Sequence, residues 1–130
     1  MRTKQILLII LLVGSAVSLG GCVVAAVGAG AAGTVAYLKG DLEAVESRKL
    51  DEVHAATLKA VKELGLHVTK DSKDALSATV VARDALDKKV TITLRATTEQ
   101  TTKLSIRVGL FGSEAKSRLI YQKIHDYLQK

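Results

Sequence analysis

Four extended runs follow one another in the second half of the sequence, and their alternating pattern limits the chain to one kind of fold. They span residues 66–70, 75–83, 88–96 and 103–110. In the third run, for example, Ile92 lies between Thr91 and Thr93. Successive side chains of a strand point to opposite faces, so strict apolar–polar alternation gives one buried face and one solvated face. The pattern therefore predicts an antiparallel sheet.

Two segments that flank these runs carry apolar residues at helical spacing. The first, residues 47–65, places one group of residues on a single face: Leu50, Val53, Thr57, Ala60, Val61 and Leu64. Glu52, Lys59 and Glu63 fall on the opposite face, and Gly65 is placed as the C-terminal cap. The second, residues 113–130, begins with Ser113 as N-cap. Its apolar stripe is Leu119, Ile120, Ile124, Tyr127 and Leu128.

A further alternating run, residues 41–46, precedes the first helix and predicts one more strand. Two amphipathic helices and a sheet with one apolar face fit together when both helices cover that face. We therefore predict an α+β fold, a two-layer sandwich of an antiparallel sheet and two helices in the order β-α-β-β-β-β-α. Residues 34–130 form this domain.

The N-terminal segment has the parts of a secretory signal. Arg2 and Lys4 precede the apolar run "ILLIILLV" and a small-residue stretch, and the run is too short to span a bilayer. Leu19, Gly20, Gly21 and Cys22 then resemble a bacterial lipobox, in which the cysteine is lipidated. We predict a signal peptide over residues 1–21 and a lipidated Cys22 with a Gly/Ala-rich tether over residues 22–33. An uncleaved membrane anchor with a chance cysteine is the alternative.

The tether also matches the spacing of a dinucleotide-binding loop, with Gly28, Gly30 and Gly33 in the required positions and Glu46 as the residue for a ribose hydroxyl. The stretch from Gly33 to Glu46 is shorter than the roughly 20 residues that such a site needs to fit a helix and a return strand. Later segments also lack the β–α rhythm of a parallel sheet. A dinucleotide-binding enzyme is therefore a distant alternative.

Composition and residue spacing exclude several other classes. The net charge of +6 suits anionic surfaces, but an exported protein without basic–aromatic interleaving is not expected to bind nucleic acid. His54, His67 and His125 lack metal-ligand spacing, and no serine has the context of a nucleophile. The aspartates at 71, 74, 84 and 87 are expected to cap turns. We predict no enzyme activity, no metal and no cofactor other than the covalent lipid.

The chain as a whole resembles a family of small bacterial lipoproteins defined only as a domain of unknown function. The resemblance is carried by Gly21 and Cys22, the Gly/Ala tether, and residues 33–44, 55–66 and 106–112. It implies a lipid-anchored envelope protein with no assigned catalytic residues. Val23 after the cysteine resembles the outer-membrane default of bacteria that sort lipoproteins by that position.

The solvated sheet face is the candidate binding site. Alternation places five residues on it: Arg83, Thr91, Thr93, Arg95 and Arg107, which Lys89 and Lys103 can join at strand ends. Guanidinium groups and hydroxyls suit phosphates and carboxylates, although threonine and arginine also suit an ordinary solvated strand. We expect a membrane-anchored, periplasm-facing lipoprotein that binds an envelope protein or an anionic lipid or glycan. A structural or assembly role through the glycine-rich segment is the alternative, and the oligomeric state is left open.

Overall fold

The alternating runs form the strands of one antiparallel sheet in a computed structural model that describes residues 35–130. The elements in chain order are β1 (Val35–Leu38), β2 (Asp41–Glu46), α1 (Leu50–Glu63), β3 (His67–Lys73), β4 (Ser77–Arg83), β5 (Lys89–Thr98), β6 (Thr101–Val108) and α2 (Glu114–Leu128). The sheet order is β1-β2-β6-β5-β4-β3, and all neighbouring pairs are antiparallel. The predicted α+β fold is therefore confirmed.

The strand expected over residues 41–46 is the second arm of a hairpin, since β1 precedes it and pairs with it. The connection is a two-residue turn in which Lys39 and Gly40 have φ values of 54° and 89°. Turns with two positive φ angles match the right-handed twist of hairpin strands, and glycine enters that region without strain.

Helix α1 ends as its sequence predicts. Gly65 has a φ of 72°, its N–H donates to the carbonyl of Lys62, and the N–H of Leu66 donates to the carbonyl of Val61. These two bonds form a Schellman motif, which satisfies carbonyl groups that the helix end would leave without partners.

Helix α2 departs from its predicted pattern in two respects. Ser113 is the N-cap residue in extended conformation, but its side chain makes no capping bond. Leu119, which was expected in the buried stripe, is exposed, whereas Ser117, two positions earlier, is buried. The buried residues of α2 are thus Ser117, Ile120, Ile124 and Leu128.

The core lies between the helices and one face of the sheet. Its fully buried large side chains come from the alternate positions of the central strands, chiefly Leu42, Ile92, Leu94, Leu104 and Ile106. Leu76 continues the inner-face alternation of Ala78 and Val80 toward the N-terminus. It is exposed because it precedes β4, in a turn where Asp74 Oδ1 accepts hydrogen bonds from the N–H groups of Leu76 and Ser77.

The strand connections divide between two ends of the sheet. The end at which β1 begins, called the proximal end here, also holds the turns at residues 74–76 and 99–100. The opposite end, called the distal end, holds the hairpin turn Lys39–Gly40 and the loops at residues 84–88 and 109–113.

Candidate binding face

Within residues 35–130 one face of the sheet is not covered by a helix, because α1 and α2 both pack on the other face. Across its centre runs a line of four hydroxyl residues on four neighbouring strands, called the hydroxyl row here. Its members are Ser105, Thr93, Thr79 and Ser72, each paired with the next across the antiparallel ladder. Directly opposed residues of such a ladder have Cβ atoms about 5 Å apart. The row is thus a continuous polar strip across β6, β5, β4 and β3.

Arg107 lies on this face as predicted, but most of its donors are used inside the domain. Its Nε and Nη2 donate to the two carboxylate oxygens of Asp41 at 2.8 and 3.2 Å. Nη1 donates to the carbonyl of Leu110 at 2.8 Å, and Nη2 donates also to that of Lys39 at 2.9 Å. The hydrogen bonds and charge of Asp41 raise the pKa of Arg107 above its ordinary value. Arg107 therefore holds two loops of the distal end together.

Arg83 is also engaged locally. Its Nη1 donates to the carbonyl of Asp87 at 2.9 Å, and its Nε lies 3.9 Å from the carboxylate of Asp87. The residue pairs with Lys89 across the ladder, so the two cations are neighbours near the distal end.

Of the three arginines predicted on this face, Arg95 is the one whose guanidinium is available to bind a ligand. It is exposed between Ser77 on β4 and Lys103 on β6, and within residues 35–130 it forms no ion pair. Lys103 pairs with Glu43 at 3.1 Å. Along β5, Thr91, Thr93 and Arg95 form one line on the open face, so the structure brings these three predicted residues together.

A buried polar cluster was missed by the sequence analysis. Glu46 is only 1% exposed, and its Oε1 accepts a hydrogen bond from Tyr121 Oη at 2.6 Å and lies 3.0 Å from His125 Nδ1. Burial, and then the contact with Glu46, raises the pKa of Tyr121 above its ordinary value, so that its hydroxyl remains a donor. The signal was present in the sequence, because alternation from Leu42 through Ala44 places Glu46 on the inner face.

This burial also bears on the dinucleotide alternative. The carboxylate expected to meet a ribose hydroxyl lies in the core, and the strands that flank it pair in antiparallel fashion. The described residues contain no parallel β–α–β unit, which a dinucleotide site requires. Gly28, Gly30 and Gly33 lie outside these residues.

His54 and two of the turn aspartates have hydrogen-bond partners within the domain. His54 Nε2 lies 2.7 Å from Asp71 Oδ1. Asp71 was expected to cap a turn, but it belongs to β3. Asp74 and Asp84 cap turns as predicted, accepting hydrogen bonds from backbone N–H groups that follow them. Within residues 35–130 no group of three or more potential ligands is placed to hold a metal.

The predicted lipidation site, Cys22, and the recognition residues Leu19, Gly20 and Gly21 lie outside the described residues. Among the residues from 35 onward, neither helix has the length and apolar character needed to cross a bilayer.

The fold and the site of residues 35–130 define a two-layer α+β domain in which both helices cover the same face of the sheet. The chain belongs to the DUF3568 family of proteins of unknown function, whose family model matches residues 5–127. A comparison with curated proteins finds no match.

Proposed function

We propose that the protein is a non-enzymatic lipoprotein of the bacterial cell envelope, anchored by a lipid on Cys22. Its domain faces the periplasm and binds a partner protein or an anionic envelope component. The anchoring rests on the signal-like segment that ends in Leu19, Gly20, Gly21 and Cys22. Val23 favours the outer membrane, by the sorting rule of the lipoproteins that the chain resembles.

The open sheet face is the observation that supports a binding role. Six strands expose a surface that neither described helix covers, and its centre is the hydroxyl row. Arg95 stands at one end of the line along β5 with its guanidinium unpaired within residues 35–130. A guanidinium beside hydroxyl groups binds carboxylates or phosphates through paired, charge-assisted hydrogen bonds.

The anchor is tested with a Cys22→Ser variant. The processed native chain should carry the mass of the acyl chains and fractionate with membranes, while the variant should lack that mass. A variant that stays wholly in the membrane fraction, with the same mass as the native chain, would refute lipidation at Cys22.

The binding face is tested by photo-crosslinking in cells from probes that replace Thr91 and Thr93. Lys62 is the control position, because it is exposed on α1, whereas the carboxylate of Glu63 contacts Lys123 and Tyr127 of α2. A discrete adduct from the sheet positions alone supports the proposal. Equal adducts from Lys62, or none from either strand position, would contradict it.

Two charge-matched substitutions sharpen this test. Arg95→Gln should lower the yield of the adduct, because it removes the available guanidinium from the face. Arg118→Gln removes the same charge from α2, where Arg118 pairs with Glu114, and should leave the yield unchanged.

A further inference from the structure

The distal end of the sheet carries most of the large apolar side chains that are exposed in residues 35–130. Four of them form what is called the apolar tip here: Leu38, Leu86, Leu110 and Phe111, which are 59, 79, 81 and 88% exposed. Single exposed apolar residues are common on protein surfaces, but a group of them at one place marks an interaction site.

The loop at residues 109–113 contacts both of the other connections at this end of the sheet. The N–H of Gly109 donates to the carbonyl of Lys89 at 2.7 Å, which joins the loop at residues 109–113 to the start of β5. Gly112 lies so close to the hairpin turn that a Cβ atom there would be 2.6 Å from the Cα of Gly40. The loop at residues 109–113 therefore joins the other two connections, and the four exposed side chains lie at the same end of the sheet.

The loops of the tip are also fixed from within. Arg107, itself held by Asp41, bonds the carbonyls of Leu110 and Lys39. Asp84 Oδ1 accepts hydrogen bonds from the N–H groups of Leu86 and Lys88 at 2.9 and 2.8 Å. Loops that are already held in place lose little conformational entropy on binding, which favours a role of these exposed side chains in binding.

The charges around the tip leave a cationic excess. Three aspartates near the tip form ion pairs with basic residues: Asp41 with Arg107, Asp87 with Arg83, and Asp84 with Lys116. Lys39, Lys88 and Lys89 have no acidic partner within residues 35–130. The two neighbouring lysines and Arg107, with Thr91 and Leu110, line an open cleft of about 480 Å³.

We propose that the apolar tip docks on the surface of an anionic lipid bilayer. Leu110 and Phe111 enter the interface, and Lys39, Lys88 and Lys89 lie at the level of the lipid phosphates. Protruding apolar side chains surrounded by cations are complementary to a bilayer, which has an apolar interior and anionic headgroups at its surface. The inference rests on the envelope location in the proposed function, but it uses a different surface from the hydroxyl row.

The lysines should contribute about fivefold each to docking, because a cation near an anionic membrane surface is worth about 1 kcal/mol. Leu110 and Phe111 together should contribute at least about tenfold through their apolar burial. The lysine contribution should disappear at high salt, while the apolar contribution should persist.

The experiment uses the full processed chain, reconstituted into vesicles of phosphatidylcholine alone or mixed with phosphatidylglycerol. An environment-sensitive dye is placed on Ser113→Cys, beside the tip, or on Glu99→Cys at the proximal end. Lipid-borne quenchers then report which end of the sheet meets the bilayer. Co-flotation with the phosphatidylcholine vesicles separately reports the anchor, so loss of anchoring and loss of docking are distinguishable.

The dye at position 113 should be quenched more than the dye at position 99, and only with phosphatidylglycerol present. Leu110→Ser with Phe111→Ser should lower the docked-to-free ratio at least about tenfold, whereas Leu76→Ser, an exposed leucine at the proximal end, should not. Lys88→Gln with Lys89→Gln should lower it about 25-fold at low salt. Thermal unfolding by circular dichroism confirms that each variant is folded.

Equal quenching at both positions, or quenching that is independent of phosphatidylglycerol, would overturn the proposal. So would an effect of Leu76→Ser as large as that of the tip substitutions. Quenching that needs an added envelope protein would identify a protein as the occupant of the tip and would equally overturn bilayer docking.

Discussion

The buried contact between Glu46 and Tyr121 should couple strand β2 to helix α2. Glu46 ends β2 on the inner face, and its nearly inaccessible carboxylate accepts the Tyr121 hydroxyl at 2.6 Å. We expect Tyr121→Phe and Glu46→Gln each to destabilise the domain. The first leaves a buried carboxylate oxygen with only His125 nearby, and the second replaces the charged acceptor by a neutral one.

The magnitude follows from burial and charge. A hydrogen bond to a charged group contributes about 1.5–3 kcal/mol, and a buried polar group that loses its partner retains its full desolvation cost. We therefore expect each single substitution to lower the free energy of unfolding by about 2 kcal/mol. For a domain of this size that is a decrease in Tm of roughly 8–16 °C. The double variant should cost about 1.5 kcal/mol less than the sum of the two, because both substitutions remove the same bond.

Thermal and urea unfolding of the four proteins in this cycle measures the coupling. Tyr127→Phe is the matched control, since Tyr127 donates to Glu63 on the exposed side of the helices. Solvent screens an exposed pair, so this control should shift Tm much less than Tyr121→Phe. Costs for Glu46→Gln and Tyr121→Phe that add to within about 0.5 kcal/mol would refute the coupling.

Three further variants test other features of the fold. Gly112→Ala should destabilise the domain by about 1–2 kcal/mol more than Gly65→Ala in urea unfolding. Both glycines have positive φ, but only the alanine at position 112 would also place a Cβ atom against Gly40. Equal costs would contradict this. Ser117→Ala should raise Tm by a few degrees, since its buried hydroxyl has no partner within residues 35–130; a lower Tm would contradict that assignment. The backbone N–H of Lys88, and then Lys116, lower the pKa of Asp84 below its ordinary value of 3.8. The stability that ionised Asp84 contributes is therefore present above pH 3.8 and is lost as the pH falls through the native pKa. Asp84→Asn should flatten the acid limb of a stability–pH curve, and an unchanged limb would refute the assignment.

The fold was predictable because its determinants are local. Period-two alternation identified β2 to β6 but not the short β1, helical spacing identified α1 and α2, and Gly65 marked the end of α1. The same logic failed where a local signal was misread. Glu46 continues the inner-face positions of β2, yet it was considered only as a contact for a ribose hydroxyl. Its partners Tyr121 and His125 come from a helix 75 and 79 positions away.

The candidate face was predictable in its orientation but not in its chemistry. Alternation placed Arg83, Arg95 and Arg107 on the open side. Which of them stays available depends on contacts that no local pattern encodes. Arg107 meets Asp41 from 66 positions away, because β2 and β6 are neighbours in the sheet. Arg83 meets Asp87 because loop 84–88 turns back on it, and Asp87 itself has a φ of 60°.

Arg107 connects the two surfaces to which we assign binding, and this determines how they can be separated by experiment. Its side chain lies beside Thr91 on the open face, while its hydrogen bonds hold the hairpin turn and the loop at residues 109–113. Replacing it should therefore weaken both the adduct formed from the sheet and the docking of the tip. Arg95→Gln should affect only the sheet, because Arg95 lies toward the proximal end of β5, and Lys88→Gln with Lys89→Gln should affect chiefly the tip. If each of these variants lowers one readout and Arg107→Gln lowers both, the two surfaces act independently and both depend on Arg107.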